Sequence, residues 1–112
     1  MEASFEQVGS QLLIAVSGRL DTVSAPRFDE RVAPVLAQPH KRILLDMSGV
    51  NYISSAGLRS ILHLVKHTTD NGGRVGLFSV PAQIMDVLEI SGFPERLDVY
   101  PDRASALKHP VS

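Results

Sequence analysis

The sequence predicts a mixed α/β fold: a largely parallel β-sheet with an N-terminal hairpin and packed helices, in the order ββαβαβαβα. Three observations carry this. After an opening pair of short apolar segments, strand-like runs alternate with segments of helical apolar spacing, the pattern of crossover helices on a parallel sheet. The run Ile43-Leu44-Leu45 is continuously apolar, as in a strand covered on both faces. The chain has 112 residues, which suits one domain spanning 1–112 and leaves no room for a second.

Residues 5–8 and 12–16 are read as two short strands across a Gly9-Ser10 turn, with the second ending at Ser17-Gly18. Thr22 or Ser24 is placed to cap a first helix, with Pro26 in its first turn and Phe28, Val32, Val35 and Leu36 at helical spacing. Pro34 removes a hydrogen bond within that pattern and is expected to kink the helix or end it early. Residues 41–47 form the third strand, followed by a polar bend over 48–53.

A second helix then follows Ser54-Ser55. Its apolar stripe is Leu58, Ile61, Leu62 and Val65, with Arg59, His63, Lys66 and His67 directed elsewhere. Asn71-Gly72-Gly73 suits a left-handed cap. Residues 74–80 form the fourth strand, and Pro81 opens a third helix carrying Ile84, Val87 and Leu88. Gly92 stops it, with Phe93-Pro94 continuing the C-cap pattern. Residues 97–100 form the fifth strand. Asp102 caps a last short helix, with Ala104 and Leu107 facing inward.

Composition excludes several classes. The formal net charge is −1, so bulk charge attracts neither nucleic acid nor an anionic membrane. There is no Cys, hence no disulfide framework and no thiolate metal site. The opening Met1-Glu2-Ala3-Ser4-Phe5 does not read as a signal peptide, and no apolar run is long enough to span a bilayer. The expectation is a cytoplasmic protein without direct membrane insertion, with no cofactor and no metal.

Candidate chemistry narrows to one turn. Ser54-Ser55-Ala56-Gly57 occupies a strand-turn-helix, as a hydrolase nucleophile does, but the leading Gly of that motif is missing and no His falls where that fold's chain order would place one, His109 being in the tail. His63 and His67 share a helix face at a spacing that suits two metal ligands. The Glu of a zinc protease is absent between them, and a solvated helix face is the favoured reading. Asp21 and Asp46 each follow an apolar strand, where α/β sites gather. Asp46 could hold the bend at Ser48-Gly49.

Gly57 falls in the first turn of the second helix at a cost of about 1 kcal/mol relative to Ala. Something must therefore approach its backbone closely, either a neighbouring strand or a partner protein. Ser54 is expected to cap the helix. Ser55 then lies beside free amides at the positive end of the helix dipole, where a phosphate would be accommodated without unfolding the domain.

The segment Leu44-Leu45-Asp46-Met47-Ser48-Gly49-Val50-Asn51-Tyr52-Ile53-Ser54-Ser55-Ala56-Gly57-Leu58 resembles the signature of STAS domains, in particular the stand-alone anti-sigma factor antagonists of bacteria. Gly18-Arg19-Leu20-Asp21 resembles that family's Gly-x-Leu-Asp turn. The resemblance implies a non-enzymatic protein that, when unphosphorylated, binds an anti-sigma factor that is also a serine kinase of the histidine-kinase ATPase fold. It implies phosphorylation at Ser55, with Ser54 the alternative acceptor, and reversal by a PP2C-type phosphatase. The implied partner contacts are Asp21, Thr22, Ser54, Ser55, Ala56, Gly57 and Arg59, and the expected state is a monomer or weak dimer.

Two departures stand out. Ser54 replaces the acid that commonly precedes the target serine, and Arg19 stands where Glu is common. Two other readings are a STAS subunit of a different assembly, such as a lipid or anion transporter complex or a small-ligand sensor, and a hydrolase using Ser55.

Overall fold

A computed structural model describes residues 1–92 and 97–108; the expected cap at Phe93-Pro94 and the tail residue His109 lie outside them. The described elements are β1 (Glu2–Val8), β2 (Gln11–Leu20), α1 (Ala25–Leu36), β3 (Arg42–Ile53), α2 (Ser55–Asp70), β4 (Arg74–Phe78), α3 (Ala82–Ile90), β5 (Leu97–Tyr100) and α4 (Arg103–Leu107). The strands form one sheet in the order β1-β2-β3-β4-β5. β1 pairs antiparallel with β2, and every other pairing is parallel. The predicted element order and sheet type are those observed.

A strand order that advances steadily, joined by crossovers of one hand, puts the connecting helices on one face. Alternate strand residues show this. Leu12, Ile14, Ile43, Leu45 and Leu77 join the large core with Phe28 of α1, Ile61 of α2 and Ile84 of α3. Their neighbours Leu13, Leu44 and Phe78 face the other way, onto Ala106 of α4. The centre of the sheet is thus buried on both sides, as Ile43-Leu44-Leu45 foretold.

Several boundaries differ from expectation. β1 starts at Glu2, and β4 ends at Phe78. The stretch 48–53 is not a bend but the second half of β3. There Gly49, Val50, Tyr52 and Ile53 pair with Ser17, Gly18, Arg19 and Leu20 of a β2 that also runs longer than predicted. Register shifts between Ala15 and Ser17 and between Gly18 and Arg19 break the two-residue period, and Gly18 turns to φ +85 there. Bulges hide a strand from a reading based on strict alternation. These extensions carry β2 and β3 out to the site.

The helices also correct details. Pro34 lies inside α1, which continues to Leu36. The single carbonyl it deprives of an amide, that of Glu30, is on an exposed residue near the helix end, where water can satisfy it. In α2 the buried stripe contains Leu64, while Leu62 is only half-buried. The α2 terminus is a Schellman cap, with Gly73 N–H to Thr68 O at 2.9 Å and Gly72 N–H to Thr69 O at 3.1 Å,. In α4 Asp102 caps through Ser105 N–H at 2.8 Å. Ala106 is the inward residue, with Leu107 half-buried beside it and Ala104 exposed.

Candidate functional site

The carboxyl ends of β2 and β3 lie side by side and feed α1 and α2. Their junction centres on the Leu20 carbonyl, which accepts from the Ser54 amide at 2.9 Å. Ser54 is extended (φ −99°, ψ 176°) and caps α2, its hydroxyl accepting from Gly57 N–H at 3.2 Å. The cap predicted for Ser54 is therefore present. Gly57 is buried, and a first side-chain carbon placed on it would lie 2.9 Å from the Leu20 carbonyl carbon and closer still to its oxygen. Of the two reasons for a glycine here, the neighbouring strand is the one realised: β2, not a partner, fills the space.

Ser55 is the first residue of α2 and is exposed. The Ser54 hydroxyl takes the Gly57 amide, so the N–H groups of Ser55 and Ala56 remain at the positive end of the helix. An anion on the Ser55 side chain would sit against that end.

The adjoining β2–α1 turn is organised by Asp21. One carboxylate oxygen accepts from Val23 N–H at 3.1 Å and Ser24 N–H at 3.0 Å, with the Ser24 hydroxyl also 3.1 Å away. That hydroxyl lies 2.7 Å from Arg19 O and accepts the Asp21 amide at 2.9 Å. Ser24 occupies the N-cap position without a side-chain cap. Neither Ser24 nor Thr22 caps α1, because Asp21 already gathers the amides at its entry and the Ser24 hydroxyl is engaged in the turn. The amide of Ser24, followed by its hydroxyl, the Arg19 guanidinium and the Val23 amide, holds the Asp21 carboxyl below its ordinary value. Asp46 makes the analogous bond at Ser48 N–H, 3.0 Å, within β3 rather than at the expected bend.

Arg19 binds the second Asp21 oxygen through Nε at 3.3 Å, and its guanidinium lies 4.1 Å over the Tyr52 ring. Tyr52 is 42 % exposed and Val23 82 % exposed. The pattern-based reading missed both as surface residues, and Val23, an apolar residue inside a polar turn, was the available signal. Thr22, Ala56 and Arg59 line one groove between α1 and α2. The structure thus brings Asp21, Thr22, Ser54, Ser55 and Ala56 to one end of the sheet, sets Arg59 one helical turn on, and buries Gly57 beneath them.

His63 is exposed, but His67 is half-buried, its Nε2 3.0 Å from Leu36 O. His67 therefore belongs to the α1–α2 contact rather than to a solvated face. Among the described residues no three His, Asp or Glu side chains gather as a metal site, and no described helix is long and apolar enough to cross a membrane.

A five-stranded mixed sheet with a capped serine turn at the ends of two parallel strands defines a class of small α/β modules. The chain belongs to the STAS domain family, whose model matches residues 2–106. It is similar to the proposed anti-sigma factor antagonist BtrV of Bordetella bronchiseptica, 28 % identical over 101 residues that cover 90 % of this chain and 84 % of that protein. It is also similar to the anti-sigma-B factor antagonist of Bacillus subtilis, 23 % identical over 84 % of this chain and 85 % of the other. The crystal structure of a proposed anti-sigma factor antagonist from Thermotoga maritima superposes with a TM-score of 0.88 at 21 % identity, covering 95 % of this chain and 92 % of that one. That last likeness concerns the fold.

Proposed function

We propose that this protein is an anti-sigma factor antagonist, a non-enzymatic cytoplasmic binding module switched by phosphorylation at Ser55. The observation that carries the reading is the placement of Ser55: exposed at the first position of α2, beside two backbone amides and the Asp21 turn. Unphosphorylated, the protein binds a serine-kinase anti-sigma factor through Asp21, Thr22, Ser54, Ser55, Ala56 and Arg59, with Gly57 supporting the turn from beneath. The kinase modifies Ser55 and a PP2C-type phosphatase restores it.

Phosphorylation adds about 1.5 to 2 negative charges without displacing the Ser54 cap. In the middle of an interface of about 800 Å² per partner, that charge loses water without gaining a paired cation. A thousandfold loss of affinity needs only about 4 kcal/mol.

The test is calorimetric titration of the cognate kinase with wild type, Ser55→Ala and Ser55→Asp, alongside circular dichroism. Ser55→Asp is expected to stay folded and lose binding by about a thousandfold, and unchanged affinity overturns the charge mechanism. Mass spectrometry after incubation with the kinase is expected to place phosphate on Ser55 in a Ser54→Ala variant and none in Ser55→Ala. Phosphate on Ser54 alone reassigns the acceptor, and none on either serine favours a STAS subunit of another assembly.

A further inference from the structure

Between α1 and α2 runs a groove of about 460 Å³, within the size range of small-molecule sites. Each helix crosses from the carboxyl end of one parallel strand to the start of the next, so α1 and α2 run in the same direction. The bond from His67 to Leu36 O joins the two helices beyond the groove. Asp29 of α1 and Ser60 of α2 both line the groove.

The floor is built from small and aliphatic residues, Ala25, Val32, Ala33 and Ala56. Ser60 is 6 % exposed, and its hydroxyl makes no hydrogen bond to any described residue, although it borders the groove. That hydroxyl is open to the groove rather than sealed: among the described residues the fully buried side-chain oxygen without a partner is Thr68 Oγ1. Asp29 on α1 and Arg59 on α2 are both exposed. Neither belongs to an ion pair among the described residues, so the groove carries one acid on its α1 side and one cation on its α2 side.

We propose that this groove binds a small zwitterion with an apolar side chain, of the free α-amino acid class. The carboxylate meets Arg59, the ammonium meets Asp29, the Ser60 hydroxyl bonds the head group, and the side chain lies on the alanine and valine floor. An apolar carboxylate alone would face Asp29 unpaired, and an amine alone would face Arg59. Because Thr22, Ala56 and Arg59 also border the proposed partner surface, occupancy would couple to partner binding, yet the binding itself requires no partner.

The test is a two-dimensional amide NMR titration of the full chain, without any kinase, using L-leucine and L-phenylalanine. 4-Methylpentanoic acid and 3-methylbutylamine serve as single-charge controls. The expected result is saturable shifts at Ala33, Ser60 and neighbouring amides for an amino acid, weakened about tenfold by Asp29→Asn and by Arg59→Gln and abolished by the groove-filling Ala33→Leu. The Ala33 side is exposed, so that variant keeps the fold, which its spectrum verifies. Equal binding of either control, saturable shifts elsewhere, or unchanged binding in Ala33→Leu each overturns the proposal. So does the absence of shifts from both amino acids where the cognate kinase does shift the groove amides, which would make the groove a protein-docking face.

Discussion

Leu20 and Gly57 are in backbone contact: the carbonyl that accepts the Ser54 amide also occupies the space where a Gly57 side chain would begin, with its carbon 2.9 Å from that position. Gly57→Ala therefore forces backbone against backbone, which no rotamer relieves. Overpacking of this kind costs about 1–3 kcal/mol, offset by about 1 kcal/mol of helix propensity. The variant is expected to be less stable by up to about 2 kcal/mol in urea unfolding, with α2 levered off the end of β2. A more stable variant would show that the strand end yields.

The Ser54 cap supports a second prediction. Ser54→Ala loses the acceptor for Gly57 N–H and is expected to cost about 1 kcal/mol. Ser54→Asp retains an acceptor and adds a negative charge at the positive end of α2, so its stability is expected to equal or exceed wild type by up to about 1 kcal/mol. Thermal or urea unfolding of the pair decides it. An equal loss in both variants would mean that the hydroxyl's length and geometry, not its acceptor oxygen, matter.

The site was legible where chemistry is local and illegible where it depends on pairing. Ser54 as cap and Ser55 at the helix start follow from residue type and order alone. The longer β2 and β3 do not, because bulges between Ala15 and Ser17 and between Gly18 and Arg19 throw the apolar residues off a two-residue period. With the strands cut short, the Arg19–Tyr52 stack and the exposure of Val23 had no frame. Gly57 gave a signal of close approach, but only the fold says that Leu20 is what approaches. Asp21 replaced the predicted helix caps because its carboxylate gathers two amides from the turn before Ser24 can act.

Asp21 also predicts a pH dependence. Its carboxyl releases its proton more readily in the folded chain than the ordinary value of 3.8, because the Ser24 and Val23 amides and the Arg19 guanidinium favour the anion. Its contribution to stability is thus complete above the unfolded-state value and is lost as the pH falls through the lower folded-state value. Carboxyl carbon NMR is expected to give Asp21 a midpoint below 3.8. Asp21→Ala is expected to shrink the loss of stability on acidification, leaving the share due to Asp102, which is lowered by its own cap to Ser105. An unaltered acid limb in Asp21→Ala would show that the turn holds without the carboxylate.

The opposite face of the sheet holds a buried cation. Arg42 is 2 % exposed, and its guanidinium donates to Gln11 Oε1 at 2.9 Å, to Ala106 O at 3.0 Å and to the Tyr100 hydroxyl. It thereby joins the starts of β2 and β3 to the end of β5 and to α4, a helix of five residues too short to persist alone. Hydrogen bonds to a charged group contribute about 1.5–3 kcal/mol each, and the acceptors left behind would be buried. Arg42→Met keeps most of the volume and removes the donors, and is expected to cost about 3 kcal/mol or more. The loss should be uneven. Amide exchange at Ser105 and Ala106 is expected to accelerate well before that of Leu64 in α2, because α4 then rests on the apolar contacts of Ala106 and Leu107 with Leu13, Leu44 and Phe78 and on an exposed ion pair from Arg103 to Glu6 at 3.1 Å. Equal acceleration across both helices would mean that Arg42 secures the whole sheet, and unchanged protection of α4 would mean that its apolar contacts suffice.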